Sequence, residues 1–261
     1  MHFLLELLQN ADDNLYKAST TPKMKITFRD STLRFDTNEM GFRKIDVESI
    51  CSVNQSSKPE SHVGVRRIGE KGVGFKSVFK VADSVFIASG PYSFMFTNKE
   101  PLGRLAPVWA EFPERRLAGF TSIFLQLRPT LKLDVLAQSL KELDGSLLFF
   151  LQTLKEVEVE VFEGNQTSST ILRREDNLSA YGLPSRTLEP DNFSPYILFH
   201  FPVYNLPLEN MRKYQTSSEI VLAFPSVYSH TSTQSSKLPI LGTHKVYAFL
   251  PIRDYGFKVC C

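Results

Sequence analysis

The sequence predicts an α/β unit running to about residue 128, followed by a smaller α+β region over 129–261. Three observations predict it. The chain opens on apolar residues at helical spacing, continues into short runs that alternate like strands, and passes through a glycine-rich turn into a further helix.

Residues 2–18 read as a helix because Leu4, Leu8, Ala11 and Leu15 recur at helical spacing, and Thr20, Thr21 and Pro22 break it. MKITF (24–28) and TLRF (32–35) read as strands joined by a polar turn at Arg29, Asp30 and Ser31. A second short helix is expected over 43–54, and the polar run 55–68, with few core candidates, reads as a mobile loop. The glycine-rich turn at 69–74 leads into a helix near 75–81. VFIAS (85–89) and YSFMF (92–96) flank Gly90 and Pro91 as a hairpin. TSIFLQLR (121–128) sets Thr121, Ile123, Leu125 and Leu127 against Ser122, Phe124 and Gln126, the period of a half-buried strand. After a break at Pro129, a helix-rich stretch reaches about Leu154 and the strand VEVEVF (157–162) follows. Residues 163–195, rich in Ser, Asn and Pro, read as a long loop or insertion. Later strands are expected at 196–203, 219–224 and 245–251.

Composition narrows the function classes. A formal net charge of +2 is too small to suggest a polyanion-binding surface, and the pairs Arg66-Arg67 and Arg173-Arg174 read as solvated surface. No apolar run reaches the roughly 18 residues of a membrane span. The opening MHFLLELLQNADDN is apolar but acidic, without the basic start of a signal peptide. Cys51, Cys260 and Cys261 show no metal-ligand spacing, and adjacent cysteines rarely bridge each other. A reducing intracellular compartment, cytoplasmic or nuclear, is therefore expected.

The first helix carries the first chemical signal. On a wheel of ~100° per residue, Glu6, Asn10, Asp13 and Lys17 fall within roughly 60° of one another, opposite Leu4, Leu8, Ala11 and Leu15. A carboxylate beside a bound phosphate can deprotonate a water. An amide oxygen one turn on can ligate Mg2+, which prefers oxygen ligands and keeps waters and phosphate oxygens. The same face also suits an ordinary solvated amphipathic helix, and the helix alone leaves both readings open.

IGEKGVGFKSVFKVAD (68–83) adds the second signal. Gly69, Gly72 and Gly74 surround Lys71 and run into the helix expected from Phe75. Glycines let the backbone approach a ligand closely, and a helix start offers free N–H groups to an anion. In physical terms this is a phosphate cradle. It is neither a Walker loop, which needs Gly-Lys-Ser or Gly-Lys-Thr, nor a dinucleotide fingerprint, which follows a strand.

ELLQNADDN (6–14) resembles the first motif of the GHKL ATPases, E-x-x-x-N-A-x-D. IGEKGVGFKSVFKVADSVFIAS (68–89) resembles the phosphate-loop segment of the heat-shock chaperones in that superfamily, and GFTSIFLQL (119–127) its last motif. The finer resemblance is to sacsin-like and No Vein-like proteins. It rests on HFLLELLQNADDN, on NEMGF followed by DVESICSVNQSSK, on IGEKGVGFKSVF, and on EIVLAFP and VYAFLPIRDYGFK near the end. It covers most of the chain, more thinly over 160–215.

The resemblance implies the Bergerat fold, a two-layer α/β sandwich holding ATP and Mg2+ between sheet and helices. It implies Glu6 as general base, Asn10 as Mg2+ ligand and Asp13 near the ribose or adenine. Gly69, Lys71, Gly72, Val73, Gly74 and Phe75 would wrap the phosphates, mainly through backbone N–H groups. Ser57 and Lys58, in the expected lid, would reach the γ-phosphate, and Thr121 would meet adenine through a water. The superfamily's Asp-x-Gly-x-Gly motif is altered: counting back from Gly41, Thr37 stands at the Asp position and Glu39 at the first Gly. Asp36 is adjacent but on the other face of a strand. Thr37 and Asn38 occupy the Asn-Asn positions common in No Vein-like proteins, so a neutral hydroxyl or amide would bind adenine more weakly than a carboxylate. Relatives carry an upstream segment and continue past the KVCC end, which implies a chain incomplete at both ends. Arg212 and Arg253 are candidates by location for the chaperones' catalytic arginine.

Two functions compete at this point. One is an Mg2+-ATPase whose lid closes on ATP and drives a chaperone-like protein that takes a protein client or self-associates. The other is a nucleotide-dependent scaffold that does not hydrolyse. A DNA-associated ATPase of the MutL or MORC type lacks the basic stripe it would need.

Overall fold

The computed structural model describes residues 2–51, 75–98, 103, 106–149, 151–178, 184–189, 196–206, 217–225, 243–248 and 250–258. The first element is helix α1 (His2–Asp12), which buries Phe3, Leu4, Leu7, Leu8 and Ala11. Each fully buried leucine contributes about 1.5–3 kcal/mol. The helix is shorter than the 2–18 expected. The Tyr16 hydroxyl turns back to donate to the Ala11 carbonyl at 2.7 Å, and Leu15, read as core, is 58% exposed. Lys17 therefore leaves the row formed by Glu6, Asn10 and Asp13. Burial, with the Glu39 and Asp12 charges behind it, raises the Tyr16 phenol and keeps it neutral.

Strands β1 (Lys23–Arg29) and β2 (Thr32–Thr37) form the expected hairpin, and α2 (Lys44–Cys51) is the expected second helix. The predicted lid at 55–68 and glycine turn at 69–74 lie outside the described residues. Where a helix was expected near 75–81, a six-residue 3₁₀ helix spans Phe75–Lys80. Strands β3 (Ala82–Ser89) and β4 (Tyr92–Thr97) flank Gly90, whose φ of 53° suits the turn. The two-residue β5 (Val108–Trp109) has no strand signature in the sequence, and β6 (Thr121–Leu127) follows it.

Past residue 129 the helix-rich stretch reduces to α3 (Leu133–Lys141) and a 3₁₀ turn at Gly145–Leu148. Strand β7 (Glu156–Glu163) then pairs parallel to β1, Met24 opposite Val157, so one sheet continues across residue 128. The segment read as a long loop instead holds β8 (Gln166–Leu178) and β9 (Pro184–Glu189). Only Leu172 and Arg174 of β8 are buried, so the strand carries too few apolar residues to announce itself; its register comes from pairing with β7. Strands β10 (Tyr196–Tyr204) and β11 (Ser217–Pro225) follow, and the strand expected at 245–251 is a separate hairpin of β12 (Thr243–Ala248) and β13 (Leu250–Lys258).

Among the described residues the main sheet has eleven strands in the order β11-β10-β9-β8-β7-β1-β2-β6-β3-β4-β5. This overturns the expected two-layer α/β sandwich of the GHKL ATPases. Among the described residues one broad mixed sheet dominates and the helices are few and short, because the helical period of 2–18 stops at Asp12 and the 129–154 stretch yields little helix. The core lies on one sheet face, where α1, α3 and the 3₁₀ helices meet Ile26, Phe35, Ile87, Leu125 and Val159. On the other face Arg34 ion-pairs with Asp36 at 2.8 Å and Glu114 at 2.7 Å. Burial lowers the affinity of that guanidinium for its proton, but the two carboxylates outweigh this and hold its pKa above the usual value.

A second charged knot lies at β8. The Arg173-Arg174 pair, read as solvated, is split by strand alternation. Arg173 faces out to Glu156 at 2.9 Å, whereas Arg174 is buried and donates to the carbonyls of Leu148, Leu151 and Gln152. Burial and the neighbouring Arg186 push Arg174 down to about 10, so at neutral pH it stays charged. Asp176 answers it at 3.3 Å. Burial alone would raise the Asp176 carboxyl, but Arg174, Arg186 and Lys155 hold it below its ordinary 3.8. The folded state thus takes up this proton less readily than the unfolded chain. Its contribution to stability is complete above that value and is lost as pH falls through the depressed folded value. Acid titration between about pH 4 and pH 2 should unfold the wild type along a steeper stability slope than Asp176→Asn, which starts less stable. Equal slopes would remove Asp176 from the account.

Candidate nucleotide site

Two of the expected site residues, Thr37 and Thr121, stand directly opposite each other at one end of the core face. Residues directly opposite in neighbouring strands share a face. The register therefore sets Met24, Thr37, Thr121, Ser89 and Tyr92 in a single row across β1, β2, β6, β3 and β4. Thr37, Thr121 and Ser89 make a buried line of hydroxyls in that row. Ser89 Oγ lies 2.6 Å from Thr121 Oγ1 and accepts the Phe42 N–H at 2.8 Å. Thr37 Oγ1 makes no hydrogen bond among the described residues, which leaves one hydroxyl able to accept or donate. Gly41 borders the row at φ 90°, and a Cβ there would stand 3.4 Å from Ser89 Oγ. Glycine removes that strain.

The turn 38–42 is tied to the chain leaving α1, since Met40 N–H donates to the Leu15 carbonyl at 2.9 Å. That bond ties the loop after α1 to the turn that follows Thr37. Glu6 and Asn10, on the polar side of α1, are both half-buried. Among the described residues Glu6 is paired with the exposed His2 ring, 3.5 Å away, and the Asn10 amide has no partner. Asp13 follows the last helical residue and is half-buried. Phe75 packs beside α1, in an aromatic cluster with Phe79 and Phe96 at 6.1–6.4 Å. Its side chain is core, so only its backbone can face a ligand. Gly74, which precedes it in sequence, lies outside the described residues.

Of the other expected site residues, some are engaged by the backbone and some lie outside the described residues. Asn38 has both ends of its amide engaged: Oδ1 accepts from Lys23 N–H and Nδ2 donates to the Thr21 carbonyl, each at 2.8 Å. Asn38→Ala should cost about 1–2 kcal/mol in urea unfolding and leave nucleotide affinity as in the wild type. A loss of affinity would return Asn38 to the site. Asp36, as strand alternation requires, lies on the opposite face, held by Arg34 and by Ser122 Oγ at 2.5 Å. It is not free to replace the missing carboxylate at Thr37. Ser57, Lys58, Gly69, Lys71, Gly72, Val73, Gly74 and Arg212 lie outside the described residues. Arg253 sits on β13, in register with Val246.

Two residues of the site region escape sequence reasoning. Ser89 closes VFIAS without any motif of its own. Asp12, the first of the doubled aspartates in NADDN, is 2% exposed and accepts three successive N–H groups, from Gln152 at 2.9 Å and from Thr153 and Leu154 at 2.7 Å. Its only signal is its place on the apolar side of the helical wheel.

Among the described residues no three His, Cys, Asp or Glu side chains cluster as a metal cage. The unpartnered Asn10 amide, with Glu6 one turn away, instead fits a Mg2+ ion that takes one protein oxygen and completes its shell with phosphate and water. No helix among the described residues is long and apolar enough to cross a membrane.

No family model matches the chain. Protein NO VEIN of Arabidopsis thaliana is 28% identical over 277 aligned residues, which cover 98% of this chain and 10% of the relative. The chain thus spans about a tenth of the length of the curated relative it matches. A similarity that runs through almost every element described above supports a No Vein-like relationship.

Proposed function

We propose that the chain binds ATP with Mg2+ through the polar side of α1, the glycine segment 69–74 and the Thr37–Thr121–Ser89 row, in the manner of GHKL ATPases, and hydrolyses it. The observation that carries the reading is the contrast between two amides. Asn38 has both ends engaged by the backbone, whereas Asn10, half-buried beside Glu6, has no partner among the described residues. A half-buried amide left unpaired suits a ligand. In this reading Asn10 holds the metal that neutralises phosphate charge, Glu6 accepts the proton of the attacking water, and Thr37 and Thr121 face the base. Closure over the nucleotide would be read by a protein client or a second copy.

A second reading, a nucleotide-dependent scaffold that does not hydrolyse, is favoured by one observation. Thr37 replaces the adenine-binding carboxylate, and Asp36 is committed to Arg34. Phosphate release separates the two readings. Binding itself is tested by thermal unfolding. Mg-ATP at about 100 times its Kd should stabilise the wild type by roughly 2.7 kcal/mol, seen as a rise in Tm. An unchanged Tm over a wide range of Mg-ATP would remove the nucleotide from both readings.

A further inference from the structure

We propose that Asp12 is a positioning residue of the nucleotide site, and that the strap 151–154 on which it acts carries the occupancy of the site to β8 and β9. This rests on the nucleotide reading above and deepens it. Asp12 lies two residues after Asn10 and directly before Asp13, but its carboxylate turns the other way, into the core. There it takes the N–H groups of Gln152, Thr153 and Leu154, three in succession. A carboxylate bound to three consecutive amides fixes both the height and the rotation of its helix relative to that strap.

The strap and the residues before it are held on their carbonyl side from the sheet. Arg174 of β8 donates to Leu148, Leu151 and Gln152, and Arg186 of β9 donates to Phe149. Arg186 also reaches Asp176 at 2.6 Å, which closes the knot. One stretch of chain is thus bonded on its N–H side by the helix that bears Glu6 and Asn10, and on its carbonyl side by two strands far along the sheet. The buried Nε of Arg174 has no hydrogen bond. A small shift of the strap can therefore rearrange the guanidinium with a new bond to gain, the mark of a group with a second arrangement within reach. A ligand that draws on the polar side of α1 pulls on Asp12, and the strap passes the displacement to Arg174. By reciprocity, any change in the strap that weakens the Asp12 bonds weakens nucleotide binding.

Amide hydrogen exchange of the full chain, with and without Mg-ATP, tests this together with two variants. In the wild type, saturation with Mg-ATP should slow exchange at 152–154 about tenfold and slow β8 and β9 as well. Asp12→Asn keeps the oxygen that serves Thr153 and Leu154 and loses the one that serves Gln152. The folded variant should bind Mg-ATP about tenfold more weakly, with a reduced response at the strap. Arg174→Lys should keep the response at 152–154 and lose it in β8 and β9. A merely structural Asp12 would change basal exchange but neither the nucleotide-dependent ratio nor the Kd. Wild-type protein that binds Mg-ATP without a response at 152–154 overturns the proposal, and so does folded Asp12→Asn with wild-type affinity. Folded wild type that binds no Mg-ATP brings down the nucleotide reading itself, and the coupling with it.

Discussion

Glu6→Ala is expected to lower phosphate release by a factor of about 10² to 10⁴ and to leave nucleotide binding in place, the loss usual for removal of a general base. The carboxylate is suited to that task by its surroundings. It is 26% exposed, near enough to the core to be held by the helix and open enough to meet a water. No lysine or arginine is paired with it among the described residues, where its ion-pair partner is the exposed His2 ring at 3.5 Å. Glu6→Gln keeps the shape and the hydrogen-bonding span but not the basicity, and should fail to the same degree. Steady-state phosphate release measured beside nucleotide titration checks both variants. A Glu6→Ala protein that releases phosphate at the wild-type rate would move the base elsewhere. A wild type that binds but releases none would establish the scaffold reading.

Arg174→Ala should cost about 3–5 kcal/mol of unfolding free energy, the largest stability effect expected in the chain. The guanidinium is fully buried, and its loss strands three carbonyls and removes one of the cations around Asp176, which keeps Arg186 and Lys155. Arg173→Ala, one residue away and exposed on the opposite face, should be nearly neutral, because a solvated ion pair contributes little. Urea unfolding of the two variants checks the contrast. Equal effects would mean that Arg174 is not buried as described. The same pair shows where composition misleads. Two adjacent arginines in a polar stretch read as surface, and only the alternation of β8 separates them.

The elements that could be read from the sequence were those whose apolar periodicity is set by burial on one face. The β1–β2 hairpin and β7 fall where Ile26, Phe35 and Val159 alternate with polar residues, and β3, β4 and β6 where Ile87, Phe94 and Leu125 sit in short apolar runs bounded by turns. Elements stabilised by long-range polar contacts were not legible. Strand β8 has one buried apolar side chain, Leu172, and is placed by its partner strands. The end of α1 is fixed by Asp12, which bonds 140 and more residues away, and no local pattern announces that. The two-layer sandwich, implied by the resemblance to GHKL ATPases, is overturned because the chain extends one sheet through β7 to β11. Among the expected site residues, the strand register sets Thr37 opposite Thr121, more than eighty residues away in sequence, with Ser89 beside Thr121. The Asn38 amide is engaged by the backbone of Lys23 and Thr21, which no local pattern announces.

The most direct measurement is a titration of the purified chain with a fluorescent ATP analogue and Mg2+, beside Asn10→Ala. Saturable binding by the wild type, weakened about 10- to 100-fold in the variant as expected for a lost bond to a charged group, is the predicted result. Folded wild type that does not bind, or a variant that binds equally well, would contradict the site on α1.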